Sequence, residues 1–120
     1  MGATAITPTA LTLNTMADFP TAAAVDATAG AMIPFTAKDD GKILLYLVNS
    51  DSSNAENVTI KKGDGVQAAA ADYTVSVAAS GVKILVVETG KYGFVKDATY
   101  KGHIRVTGTA DVDVAAVILP

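Results

Sequence analysis

The sequence predicts an all-β fold, a sandwich or barrel of roughly seven or eight short strands. Three observations carry that reading. Apolar residues recur with period two or in short unbroken runs, and nowhere at helical spacing over a helical length. Clusters of Gly, Pro, Asp, Asn and Ser separate these runs. Val and Thr, which suit a pleated and half-buried surface, recur along the chain.

Residues 1–29 are rich in Ala and Thr, carry few charges and contain Pro8 and Pro20. Residues 9–13 alternate weakly and suit an edge strand. The run Ala22-Ala23-Ala24-Val25 has helical composition, but Pro20 before it and Thr28-Ala29-Gly30 after it leave no room for a stable helix. The segment is expected to be an extended N-terminal arm, ordered by contact with something else; a first strand followed by a loop is the alternative. The folded body is expected over residues 30–120. It opens with a short strand at 31–35, which Pro34 places at an edge or a bulge because proline has no N–H to donate.

Residues 42–49 (KILLYLVN) form the central strand. Ile43, Leu44, Leu45, Leu47 and Val48 leave neither face polar, and such a run requires cover on both sides. A turn signal at 38–41 and a polar loop at 49–54 bound it. Next, residues 57–62 alternate, with Val58 and Ile60 inward, and Gly63-Asp64-Gly65 turns the chain. Residues 68–71 are a loop of small side chains. Tyr73, Val75 and Val77 then point to the core and Thr74 and Ser76 to water, while Tyr46 is also expected inside.

Residues 82–88 (VKILVVE) are a second strand with both faces largely apolar, the natural neighbour or opposite number of KILLYLVN. A turn at 89–93 follows. Ile104 and Val106 face inward on the next strand, and 112–119 make the last. Two strands without a polar face imply either more cover than a two-layer sandwich gives or an outer face buried in an oligomer.

At 120 residues the chain is expected to be one domain with a core that needs no staples. It has no Cys, so disulfides and thiolate chemistry are excluded. Its net charge is −3 and its basic residues are scattered, which argues against nucleic-acid binding. No segment has the apolar length of a membrane helix, and the first residues lack the basic and apolar regions of a secretory signal. Met1-Gly2 does not complete a myristoylation motif, because Ile6 stands where Ser or Thr is required.

Few residues of the chain could supply a reacting group. His103 is the only histidine, there is no Gly-x-Ser-x-Gly elbow, and a surface imidazole at a strand end explains it. Asp111 and Asp113 project from one strand face, and Asp39-Asp40 are adjacent, but solvated turns account for such pairs. The loop at 51–56 offers oxygen atoms without the EF-hand pattern. Gly90-Lys91 lacks the other P-loop positions, which are Leu85 and Tyr92 here. Lys62-Gly63-Asp64 is a hairpin turn, and Asn57-Val58-Thr59 is a chance sequon. Tyr92, Phe94 and Tyr100 are expected to pack under a long loop. The expectation is a protein that is not an enzyme and has no cofactor.

Taken in order, KDDGKILLYLVNSDSSNAENVTIKKGDGVQ (38–67), DYTVSVAASGVKILVVETGKY (72–92) and TADVDVAAVILP (109–120) resemble small structural proteins of tailed-bacteriophage virions, of the head decoration or cement type. The resemblance implies an antiparallel β-sandwich, jelly-roll-like, made in the host cytoplasm and placed on the capsid surface. It also implies the major capsid protein as partner and a homotrimer at threefold positions, with no nucleic acid or membrane bound. Ile6, Leu11, Leu13, Met16 and Phe19 in the arm are the expected contacts. Two other readings are a tail-tube or baseplate subunit, which long hairpins would favour, and a carbohydrate- or receptor-binding sandwich, which would need exposed aromatics.

Overall fold

Alternation along the chain becomes two packed sheets in the computed structural model, which describes residues 2–120. In chain order the strands are β1 (Thr4–Ala5), β2 (Thr9–Ala10), β3 (Ala23–Ala24), β4 (Ala31–Pro34), β5 (Ile43–Asn49), β6 (Glu56–Ile60), β7 (Tyr73–Val77), β8 (Val82–Val87), β9 (His103–Gly108) and β10 (Val112–Ile118). The first sheet has the order β1-β4-β9-β6-β7. The second has the order β2-β10-β5-β8, with β3 also paired to β10. From β4 onward only the β6–β7 connection stays within a sheet; every other connection crosses between the two, so neighbours in sequence face each other across the core.

The inward residues of both sheets form one apolar cluster. β5 contributes Ile43, Leu45 and Leu47, β6 contributes Val58 and Ile60, β9 contributes Ile104 and Val106, and β10 contributes Val112, Val114 and Ala116. Burying each of the larger side chains stabilises the fold by about 1.5–3 kcal/mol. The all-β sandwich expected from the pattern is therefore what the chain forms. The sheets are mixed rather than purely antiparallel, because β1 runs parallel to β4 and β2 parallel to β10.

The segment expected as an arm is attached to the body at three short pairings, with residues 12–19 exposed between the second and the third. β1 adds to the edge of β4, β2 adds to β10 through Val117 and Ile118, and β3 adds to β10 through Asp113 and Val114. Ile6 and Val25 are buried in the core cluster. The boundary drawn at residue 29 thus falls inside one packed unit, at a turn where Asp26 accepts from the N–H groups of Thr28 and Ala29. Gly30 in that turn has φ +85°, and a side chain there would strike the Val106 carbonyl.

The strand that Pro34 was expected to place at an edge or a bulge lies instead between β1 and β9, and the proline is accommodated at its last residue. Phe35 donates to the Gly102 carbonyl at 3.0 Å, so position 34 faces away from β9, beyond the reach of the two-residue β1. Further expectations are corrected. Tyr46, expected inside, alternates with the core residues Leu45 and Leu47 and lies half-buried on the opposite face of β5. Tyr73 is 46% exposed, because β7 is an edge strand and position 73 is its first residue, where the other sheet no longer covers it. The turn at 89–93 contains a single helical turn, α1 (Thr89–Tyr92), and the Thr89 N–H and Oγ1 both donate to Asp40. Behind it, the Phe94 and Tyr100 rings pack 5.7 Å apart, tilted by 47°, Arg105 lies 4.6 Å from the Tyr100 ring centre, and the Tyr100 hydroxyl donates to the Ala29 carbonyl. These aromatics hold the 94–102 loop down.

Candidate interaction surface

The outer face of the second sheet is apolar. In β5 alternate residues are fully buried, and between them Leu44, Tyr46 and Val48 point the other way, half-buried. Strand register sets three rows across this face: Val117–Leu44–Val86, Ala115–Tyr46–Ile84 and Asp113–Val48–Val82. Asp113 alone among these nine is polar. The face is covered unevenly. Ala115 and Val117, on β10, are buried, whereas Val82, Ile84 and Val86, on β8, are 56%, 63% and 51% exposed.

Part of the cover comes from the chain itself. β2 and β3 both hydrogen-bond to β10, so the loop 11–22 between them is pinned at its two ends. Leu11 continues the first of these attachments, donating its N–H to the Ile118 carbonyl at 2.9 Å. The loop carries Phe19 onto Tyr46, with ring centres 5.0 Å apart and planes tilted by 58°. Phe19 is nevertheless 73% exposed, and Leu13 and Met16 on the same loop are exposed too. Of the arm residues expected at a partner, Phe19 therefore joins the apolar face and Leu13 and Met16 remain open on its loop. Leu11 is half-buried, and Ile6 belongs to the core, since it lies between the sheets after β1.

β8 is the last strand of this sheet, with β5 on one side only. The Asn49 N–H donates to the Gly81 carbonyl at 2.9 Å, and antiparallel ladders bond every second residue. Residues 83, 85 and 87 consequently face β5. The N–H and C=O groups of Val82, Ile84 and Val86 face outward, and among the described residues no partner approaches them. The strand thus combines an open main-chain edge with exposed apolar side chains. Edges are commonly blunted by proline, bulges or charge. Here Lys83, exposed on the inner side, is the one such device on the strand.

Charge is confined to the rim. Burial, and then the neighbouring Asp111, push the Asp113 carboxyl above its ordinary range. The other strongly held carboxylates serve loops. Asp64 accepts from the N–H groups of Val95, Lys96 and Asp97, and the bond from Val95 contributes most to holding its pKa down. Asp51 accepts from the Ser53 and Asn54 N–H groups, which lowers its pKa in the same way. Asp51, Glu56 and Asp111 bring carboxylate oxygens within 4.8 Å of one another, a grouping the sequence reading missed because it paired Asp111 with Asp113 instead. His103 points its Nδ1 at the Lys101 carbonyl, 3.0 Å away, and among the described residues no carboxylate bonds to it. An apolar hollow of about 200 Å3, lined by Pro8, Pro34, Phe35, Thr36, Asp39 and Ile118, lies at the end where β2 meets β10. It is below the roughly 300–1,000 Å3 of a ligand pocket.

The signal for this surface was present in the sequence, in the two strands without a polar face. What it lacked was which of the two would lie at an edge. No protein-family model matches the chain, and no curated protein and no solved structure matches it either.

Proposed function

We propose that the chain is a structural virion protein that decorates a tailed-phage capsid, binding the outer surface of the major capsid protein as a homo-oligomer and stabilising the shell. The observation that carries the reading is the half-open apolar face of the second sheet, with Phe19 over Tyr46 beside the exposed Ile84. A contiguous apolar face of this kind marks a contact surface. The resemblance of residues 38–120 to decoration proteins supplies the identity of the partner. The chemistry of the titratable groups agrees, since Asp26, Asp51, Asp64 and Asp97 each accept main-chain N–H groups of turns. Many identical copies on one shell would add weak contacts into a firm attachment.

The test is particle stability. Shells stripped of this protein are expected to rupture at lower temperature and under milder osmotic shock than complete ones. Adding back the purified chain restores them, and adding back Phe19→Asp with Met16→Asp does not. Equal survival of stripped and complete shells would sink the reading.

A further inference from the structure

We infer that two copies of this chain join through β8, antiparallel about a twofold axis at Ile84, so that their second sheets become one continuous sheet. Such a dimer would form in the free protein, independently of attachment to a shell.

Antiparallel pairing is self-complementary: one edge can serve both partners. The outward main-chain groups belong to Val82, Ile84 and Val86. Residues opposite each other must both have outward-facing groups to exchange hydrogen bonds. With Ile84 opposite Ile84 of the second copy, Val82 falls opposite Val86 and Val86 opposite Val82. Every free N–H and C=O of the three residues then finds a mate. The same register sets three apolar side chains of one copy beside three of the other, in cross-strand pairs that stabilise a sheet. Shifting the axis to Leu85 would lay the Glu88 carboxylate against Val82, so the first register is preferred. In it, Lys83 lies opposite Leu85, and its ammonium extends to water beyond the inner face.

A second copy fits this edge better than any other strand of the molecule does. The free edge of the first sheet, β7, offers Thr74 and Ser76 to solvent and has no apolar stripe to match. Pairing also doubles the width of the apolar face, because Val82, Ile84 and Val86 remain on it with their counterparts at the centre. Edge-to-edge joining buries less than the roughly 800 Å2 per partner of a standard interface. The dimer is therefore expected to form at micromolar concentrations and above.

The native mass and a cross-linking series test this together. At high micromolar concentration the wild-type chain should have twice its 12.2 kDa mass. Ile84→Pro removes only an outward N–H, so it should leave the strand paired to β5 and yield a folded single chain by circular dichroism. The absence of Cys makes a placed thiol an unambiguous reporter. Two copies of Ile84→Cys would have Cα atoms about 5.5 Å apart and be joined by a short bifunctional thiol reagent. In Val82→Cys the two thiols would lie about 13 Å apart along the strands and escape it. Loss of the doubled mass in Ile84→Pro, with selective linking at position 84, supports the pairing. A single-chain or threefold mass for the wild type, or equal linking at 82 and 84, overturns it.

Discussion

Asn49 shows how one buried polar side chain organises its surroundings. It ends β5 almost wholly inside the protein, where its Nδ2 donates to the Asn54 and Val77 carbonyls and its Oδ1 accepts from the Asp51 N–H. It thereby ties the 50–54 loop to the end of β7. Replacing it with Ala strands these main-chain groups, so Asn49→Ala is expected to lose about 2–3 kcal/mol in urea unfolding. The sequence showed Asn49 as the end of the central strand and the start of a polar loop, and gave no sign of these bonds. Asp113 works in the opposite sense. Its folded pKa is raised, so the folded state holds its proton more tightly than the unfolded state does. Its contribution therefore falls as pH rises from the unfolded value through the raised folded one, and the full penalty applies at neutral pH. Asp113→Asn should raise the melting temperature at pH 7, and the gain should vanish below the ordinary carboxylate pKa. A gain that persists in acid would disprove this account.

Among the elements, the N-terminal segment departs most from its composition. Proline, alanine and threonine with few charges described an extended arm, or a first strand and a loop, and the weak alternation at 9–13 did not show where the segment would dock. Docking depends on partners far along the chain: β4 for β1, and β10 for β2 and β3. Two substitutions separate its roles. Ile6→Ala empties a core position and should cost about 2–5 kcal/mol, whereas a loose arm would tolerate it freely. Phe19→Ala removes an exposed ring from Tyr46 and should cost no more than about 1 kcal/mol. Chemical denaturation measures both, and equal losses would contradict the placement. β5 and β8 make the complementary point. Each was legible as a strand, and their shared lack of a polar face marked them as side by side or face to face, a choice that only the β5–β8 pairing decides. Their difference was not legible: β5 has a neighbour on each side and β8 only one.

On the scale of the whole molecule, the N-terminal segment closes edges as well as filling the core. β1 covers β4, and β2 with β3 cover β10, so a chain begun at residue 30 would expose two further strand edges. Uncovered edges recruit other chains. Such a truncated chain is expected to precipitate on refolding where the full chain stays in solution, as light scattering would record; a clear solution would mean that the segment is dispensable. The sequence by itself determined the fold class, the identity of the long strands and the placement of most core residues, because period-two alternation and turn chemistry are local properties. It also indicated that an apolar face would be left to cover. Only the tertiary structure decided that residues 2–29 contribute to both sheets, that Phe19 reaches Tyr46, and that β8 is the open edge. Those outcomes depend on which distant backbone groups find one another, and pairing between strands leaves no mark on the spacing of residues within either strand.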